Sequence, residues 1–250
     1  MKKLAIWFVV VLLVIFGNHL VASADTWRYD FDPGEDISML TQINPTGIPT
    51  ITLNGTLEMD IPSTAAYDLA SWVNLNAPRL YRSVVNEPFI LETKLSTTFS
   101  TYTFLTGLFL YNSADGVSSN DLIFGANSSS LKIDAGNPSQ HSGAFAWTSV
   151  GSYVDLFLRV EHDGSGNYDF FYNEENLTGG QWEPYASLSG YSFDNLGIIA
   201  KTWYNPSAGY PELTANFDYL HYNVPIPGAV WLLGFGLLGL VGSRRKLPKA

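Results

Sequence analysis

The chain of 250 residues contains no cysteine, and only 14% of its residues are charged. Without cysteine it can form no disulfide framework, no thiol nucleophile, no cysteine-ligated metal site and no thioether-linked haem. An exported protein is allowed disulfides, so their absence means that the fold must be held together by its core. A body of about 200 residues is large enough to bury such a core.

Positive charge is the scarcer sign, with 13 basic against 23 acidic residues. Six of the basic residues lie at the two ends of the chain, before position 4 and after position 243. The part between them therefore carries seven basic and 23 acidic residues, a net charge of −16. A body this acidic excludes nucleic acid as a partner, because phosphate binding needs clustered lysine and arginine. It also disfavours anionic membranes and strongly acidic polysaccharides, unless a cation bridges them.

The first 24 residues have the three parts of a secretory signal peptide. Met1, Lys2 and Lys3 form a basic start, an apolar run covers 4–16, and Ala22-Ser23-Ala24 is an A-x-A cleavage sequence. We expect the Sec machinery and signal peptidase to act here and the mature protein to begin at Asp25. An uncleaved N-terminal anchor is the alternative.

The last 27 residues, 224–250, combine a proline-rich start, an uncharged apolar run and a basic end. The apolar run is at the short limit for a membrane span, and positive charge after it places that end in the cytoplasm. The residues of the pattern are Val224, Pro225, Pro227, Trp231 and Leu232, with the basic residues Arg244, Arg245 and Lys246. This tail closely resembles the PEP-CTERM sorting signal in its VPxP variant. The resemblance implies cleavage by a membrane-embedded exosortase and release to the cell surface or exopolysaccharide matrix. An ordinary C-terminal membrane anchor is the alternative.

The body, residues 25–223, predicts a single all-β domain. Short runs of alternating apolar and polar residues recur between turn residues, and no window of 12 or more residues has helical periodicity. Asn54-Gly55 between two such runs predicts a two-residue hairpin turn. Asp163 to Asn167 predicts another turn, which leaves His162 as a solvated residue at a strand end.

Several strand sequences of the body resemble those of a known group. The matching runs are Pro88–Lys94, Gly107–Tyr111, Leu158–Glu161, Tyr168–Tyr172, Gln181–Pro184, Leu196–Ile198 and Ala215–Tyr219. They resemble the concanavalin A-like lectin and glucanase sandwiches of the DUF1349 and β-xylosidase-C-terminal type. The resemblance implies a concanavalin A-like β-sandwich, or jelly roll, between the signal peptide and a transmembrane sorting helix.

Catalytic patterns are not found in the sequence. Glucanases of this fold carry the acids of an E-x-D-x-x-E strand on one face, but Glu58-Met59-Asp60 has no third acid after it. Because Leu57 and Met59 alternate with these acids, Glu58 and Asp60 are predicted to form the solvent face of a strand. There is no G-x-S-x-G elbow and no H-E-x-x-H zinc motif. We therefore expect no enzyme and no catalytic metal.

One loop has oxygen-bearing residues at calcium-loop spacing. They are Asp163, Ser165, Asn167, Asp169 and Glu174. The sixth position is Tyr168, where a calcium loop needs glycine for its sharp turn. We expect no cofactor, with a Ca²⁺ ion at this loop as the alternative.

Aromatic residues in two predicted loops are the candidates for ligand binding. Trp203, Tyr204, Asn205 and Tyr210 cluster in a loop that contains proline and glycine, and Trp147 lies in a second loop. Exposed aromatic rings can stack on sugar rings, while neighbouring amides bond to hydroxyl groups. The alternative is that these rings cover the open edges of the sandwich core.

These observations predict an exported bacterial surface or matrix protein whose sandwich is non-catalytic and lectin-like, with extracellular polysaccharide as its ligand. A glycoside hydrolase or lyase on the same fold is one alternative. A purely structural matrix protein is the other.

Overall fold

The computed structural model describes residues 26–69, 76–101, 103–114, 121–127, 130–135, 153–174 and 181–225. These residues form two antiparallel sheets, and none of them lies in a helix. Within this part of the chain no helix is long and apolar enough to span a membrane. Both sheets belong to one compact unit, Thr26–Val224. The predicted signal peptide and the sorting residues from Pro227 onward lie outside the described residues.

The larger sheet has eight strands. They are β1 Trp27–Tyr29, β3 Thr50–Leu53, β4 Leu57–Ile61, β6 Phe89–Phe99, β10 Tyr153–His162, β11 Asn167–Glu174, β12 Glu183–Ser189 and β14 Leu213–Asn223. The strand order is β12-β11-β10-β6-β14-β4-β3. Strand β1 pairs with the end of β14, beyond the part of β14 that pairs with β4.

The smaller sheet has six strands. They are β2 Thr41–Ile43, β5 Arg79–Ser83, β7 Phe104–Tyr111, β8 Asp121–Asn127, β9 Ser130–Ala135 and β13 Asn195–Thr202. Their order is β2-β5-β13-β7-β8-β9. Sequence neighbours β7, β8 and β9 form a meander, whereas β13 reaches β5 and β7 from far along the chain.

The core lies between the two sheets and is built by alternation. In β4, Leu57, Met59 and Ile61 are fully buried while Glu58 and Asp60 face the other side. The prediction that these two acids form the outward face of a strand is therefore confirmed. The prediction of an all-β sandwich is confirmed as well.

The hairpin between β3 and β4 differs from the predicted turn. Leu53 pairs with Leu57, so the loop has the three residues Asn54, Gly55 and Thr56 rather than two. The Asn54 N–H donates to the Thr56 carbonyl at 3.0 Å, and Gly55 has φ 79°. A positive φ suits glycine, so the turn residue was identified correctly but the loop length was not.

The hairpin between β10 and β11 corrects a further expectation. His162 is only 3% exposed, stacks on Tyr168 with a centroid distance of 4.3 Å, and accepts the Gly166 N–H at Nε2. The prediction of a solvated histidine was wrong, because the aromatic core extends to the end of this strand. The same hairpin separates the acids of the alternative calcium loop. Glu174 pairs with Leu156, seven residues along the strand from the turn end of β11 at Asn167.

Candidate functional site

The six-stranded sheet is buried on both of its faces. In β7, Phe104, Leu108 and Leu110 belong to the core between the sheets, whereas Phe109 and Tyr111 belong to a second apolar cluster. Because successive strand residues point to opposite faces, the second cluster lies on the face turned away from the larger sheet. We call this face the outer face.

The strand register defines which side chains are neighbours on the outer face. One row across the sheet is Arg79, Ile199, Gly107, Gly125 and Lys132. The next row is Tyr81, Gly197, Phe109, Ile123 and Asp134. The third row is Ser83, Asn195, Tyr111 and Asp121. Polar and charged side chains therefore surround an apolar and glycine-containing centre.

Two adjacent glycines leave the middle of the first row without side chains. Gly107 pairs with Gly125, and a Cβ atom added at either one would overlap the backbone of the other strand. Only glycine permits this approach of the two backbones. The outer face therefore has a low floor between Ile199 and Lys132.

The Lys201 side chain extends over the glycine pair and forms the central ion pair of the site. Its Nζ lies 2.7 Å from an Asp134 carboxylate oxygen and 3.6 Å from an Asp68 oxygen. Lys201 is on β13 and Asp134 is on β9, three strand positions away, which is about 14 Å in a flat sheet. A lysine and an aspartate cannot bridge that separation, so the sheet curves towards its outer face.

Asp68 reaches this ion pair from a segment that runs beside β13. Tyr67 pairs with Thr202, and the Asp68 carbonyl accepts the N–H groups of Asn76 and Ala77. Asn76 also accepts the Asp68 N–H at 2.9 Å. These bonds hold the Asp68 carboxylate next to Lys201.

Burial and charge change the acidity of the groups on this face. Burial raises the pKa of Asp121 to about 6, against the opposing effect of the Lys201 ammonium. Burial alone would lower the pKa of Lys201, but the carboxylates of Asp134, Asp68 and Asp121 outweigh it and raise that pKa. Burial lowers the pKa of Arg79 and raises that of Tyr111. Asp121 is therefore the one group here for which a pKa close to neutral is indicated.

Two buried polar atoms of the outer face have no hydrogen-bond partner among the residues that the structure describes. They are Oδ1 of Asp121 and Nε of Arg79, in residues that are each 5% exposed. Buried polar atoms are normally paired, and an unpaired one costs about 1–3 kcal/mol. Such atoms suit a site where a ligand supplies the missing partners.

Four of the predicted ligand-binding residues occupy a loop that directly follows β13. Trp203 packs against the second apolar cluster, with Lys201 and Lys132 at 5.8 and 5.9 Å from its ring. Tyr204 is 54% exposed and meets Tyr210 edge to face at 5.2 Å. Asn205 is part of the turn, where its side-chain oxygen accepts the Ser207 N–H. Trp147 lies outside the described residues.

The structure thus brings Trp203 to the outer face, together with charged residues that no local motif indicated. Arg79, Asp121, Asp134 and Lys201 come from four different strands, and Asp68 comes from a loop. A weak signal exists in the sequence, since Asp121 begins and Lys201 follows an otherwise apolar run. Strands buried on both faces have such continuous apolar runs, so a charge within them is unusual. In the described part of the chain, no group of three or more His, Asp or Glu side chains could hold a metal ion.

Comparison with known proteins gives structural relatives only. No family model matches the chain, and no curated protein matches it. Among solved structures, the GH43 protein BlXynB of Bacillus licheniformis is similar, with 18% identity and a TM-score of 0.59 over 79% of this chain. A xylan β-1,4-xylosidase of Bacillus halodurans has 14% identity and a TM-score of 0.55 over 78% of this chain. A seed lectin of Lotus tetragonolobus has 13% identity and a TM-score of 0.49 over 79% of this chain and 96% of the lectin.

The chain matches only part of the two enzymes, 39% of BlXynB and 38% of the xylosidase. At these identities the likeness establishes the sandwich fold. It nevertheless contradicts the expectation that the chain is not an enzyme, because these similar structures are a GH43 protein and a xylosidase. That expectation depended on the absence of three local patterns: an acid triplet within one strand, a G-x-S-x-G elbow and an H-E-x-x-H motif. The outer face collects its carboxylates from separate segments, which a search along one strand cannot detect.

Proposed function

We propose that the protein cleaves glycosidic bonds of an extracellular polysaccharide, and that its concanavalin A-like sandwich carries the site on the outer face. The observation that supports this most is the buried, unpaired Asp121 Oδ1 beside the Lys201–Asp134 ion pair. Glycoside hydrolysis uses two carboxyl groups, of which one begins protonated and the other ionised. Different surroundings give Asp121 and Asp134 this division of roles.

The chemistry follows from the two environments. Asp121, with a pKa of about 6, donates its proton to the glycosidic oxygen as the bond to C1 breaks. Asp134, held by Lys201 at 2.7 Å, accepts a proton from the water that attacks C1. The products are two shorter sugars; Asp134 then releases its proton to solvent and Asp121 takes one up, which restores both groups. Trp203 and the Tyr204–Tyr210 pair offer ring faces on which sugar residues stack beside the site.

The test is release of reducing ends by the purified full chain from a panel of neutral and acidic polysaccharides. Asp121→Asn should reduce the rate at least about 100-fold, because general acid catalysis contributes about 10² to 10⁴. Asp60→Asn is the matched control, since Asp60 lies on the larger sheet and bonds only Thr214 at 3.0 Å among its described contacts. The control should keep the full rate.

Each other outcome has a definite meaning. Unsaturated sugar ends among the products would indicate a lyase rather than a hydrolase. Activity that Asp121→Asn leaves intact would remove the outer face as the site. Absence of cleavage on every polysaccharide, with self-association of the protein alone, would favour a structural matrix protein.

We propose further that the protein is exported through the Sec machinery and signal peptidase and sorted by an exosortase-type protease to the cell surface or matrix. The patterns at Ala22-Ser23-Ala24 and at Val224, Pro225 and Pro227 support this. Val224 packs in the sandwich core and Pro225 is exposed, so the sandwich extends to the first residue of the motif. Replacing Pro225 and Pro227 should leave unprocessed protein in the membrane fraction. Normal release of that variant would contradict the sorting proposal.

A further inference from the structure

We propose that the outer face recognises a carboxylated sugar, with Arg79 as the residue that binds the carboxylate. The proposal deepens the proposed function and depends on it for the location of the glycan. It runs against the net charge of −16 between the two ends of the chain, which by itself predicts repulsion of acidic polysaccharides. Binding is nevertheless possible because the local charge of the outer face differs from the net charge of the body.

The outer face carries three of the seven basic residues of the body. Between the predicted signal peptide and tail there are seven basic residues, and Arg79, Lys132 and Lys201 all belong to this face. The facing acids are Asp68, Asp121 and Asp134. Counted over the described residues, the outer face is therefore close to neutral within a strongly acidic body.

Arg79 differs from the cations of the larger sheet in its partners. Its Nη1 donates to the Ala77 carbonyl at 3.0 Å, and its Nε is buried and unpaired. Among the described residues no carboxylate lies within ion-pair distance of it. The three basic residues on the outward side of the larger sheet differ, because each has such a partner: Arg28 with Asp30, Lys94 with Asp218, and Arg159 with Glu92 and Glu161.

A buried guanidinium is expensive unless an anion compensates it, and its planar N–H groups fit a carboxylate. The neighbours of Arg79 are suited to the rest of a sugar residue. Tyr81 lies two residues along β5 from Arg79 and on the same face, and its ring meets that of Tyr111 on β7 edge to face at 5.0 Å. Lys132 lies in the row of Arg79, on the far side of the glycine floor. The face thus combines a guanidinium whose Nε has no partner among the described residues, a second cation and aromatic rings.

The first arm of the test needs no variant. Binding of the full chain to polygalacturonate is compared with binding to its methyl ester, which has the same sugars without the charge. Carboxymethylcellulose and hydroxyethylcellulose form a second pair, in which the carboxylate is a substituent instead of part of the sugar ring. We expect the charged member of at least one pair to bind at least about tenfold more tightly, and the pair that responds identifies the source of the carboxylate.

The second arm assigns the effect to Arg79. Arg79→Gln should reduce binding of the charged polymer about tenfold and leave binding of its uncharged partner unchanged, and Arg79→Lys should restore part of the loss. Arg28→Gln removes an equal charge from the other sheet and should change neither. Thermal unfolding of each variant checks that it is folded.

Equal binding of charged and uncharged polymers, or a preference that Arg79→Gln and Arg28→Gln reduce alike, would overturn the proposal. Cleavage of a neutral polysaccharide that depends on Asp121 but not on Arg79 would also overturn it, and would leave the proposed function intact. If no polysaccharide is bound or cleaved, both proposals fail together.

Discussion

The charged side chains on the outward sides of the two sheets differ in their burial and in their partners. On the larger sheet, Arg159 bonds Glu92 and Glu161 and lies over the Trp182 ring at 4.2 Å, in partial contact with solvent. On the smaller sheet, Lys201 is 9% exposed, and Asp121 and Arg79 keep unpaired buried atoms. On the larger sheet, the charged groups of Arg159, Glu92 and Glu161 are paired with one another near solvent. On the smaller sheet, buried polar atoms have no partner among the described residues, which costs free energy of folding.

This difference favours the outer face of the smaller sheet as the position of a functional site. Exposed ion pairs contribute about 0–1 kcal/mol and can be exchanged without much consequence. Buried groups with perturbed pKa values are costly to retain, and they concentrate at active sites. The predictions below test whether the two faces differ as this comparison requires.

The largest effect on stability is expected for Lys201→Ala. The change leaves Asp134 and Asp68 near a buried site without their shared cation, which should reduce the free energy of unfolding by about 3–5 kcal/mol. Arg159→Ala on the larger sheet should reduce it by about 1 kcal/mol. Urea denaturation of both variants measures the two values. Equal losses would show that the two ion networks are equivalent and would remove the basis of the comparison.

The second effect is a pH-dependent gain of stability in Asp121→Asn. The pKa of Asp121 is about 6 in the folded protein against an ordinary value of 3.8. The folded state therefore binds this proton more tightly, so the group destabilises the protein progressively as pH rises through that range. Asparagine removes the penalty, which is about 3 kcal/mol when the group is fully ionised.

The measurement is the difference in free energy of unfolding between wild type and Asp121→Asn over a pH series. The difference should be small below the ordinary pKa and should reach its full value by about pH 8. Taking the difference cancels the opposite contributions of Asp36, Asp163 and Asp194, whose pKa values are lowered. A difference that stays constant with pH would mean that Asp121 is not perturbed.

A smaller effect is expected for the tryptophans of the two faces. Trp203→Ala removes a ring packed on the outer face and should reduce stability by about 2 kcal/mol and weaken polysaccharide binding. Trp182→Ala removes the ring beside Arg159 and should leave polysaccharide binding unchanged. Depletion of each variant from solution by insoluble polysaccharide compares the two. Equal weakening would place glycan contacts on both sheets.

The smallest change in stability is expected for Tyr204→Ala. Tyr204 is 54% exposed, so its loss should alter the free energy of unfolding by no more than about 0.5 kcal/mol. Affinity for polysaccharide should nevertheless decrease, because the ring is free to stack on a sugar. The same depletion assay measures this, with Val85→Ala as a control at another exposed apolar residue. Unchanged affinity would assign Tyr204 and Tyr210 to the loop structure alone.

The fold was largely predictable because alternation is a local property. Leu57, Met59 and Ile61 indicate their strand and its buried face without reference to any other part of the chain. His162 and the Asn54 loop were predicted less well. The burial of His162 depends on Phe89 and Tyr168, which approach it from another strand and from across the turn. The loop length depends on the register between β3 and β4.

The site was mostly hidden from sequence reasoning for the same reason. Of the predicted ligand-binding residues, Trp203 reaches the outer face, and Tyr204 and Tyr210 stand in the loop beside it. The charged residues were not predicted, because Asp134 and Lys201 are 67 positions apart and meet only through strand order and curvature. Neither residue belongs to a recognisable sequence motif, and a single charged residue in an apolar strand is a weak signal.

The sequence alone determines an all-β body, because alternating side chains and turn residues act through neighbours along the chain. The absence of cysteine adds that this body depends on its core. The patterns of the two ends are likewise readable as linear signals, and they stay predictions. The charge environment of the outer face, in contrast, depends on the tertiary structure. A net charge of −16 describes the body as a whole, whereas the gathering of Arg79, Lys132 and Lys201 on one curved face arises only when distant strands pair. Electrostatic interaction depends on distance in space, and sequence separation does not set that distance.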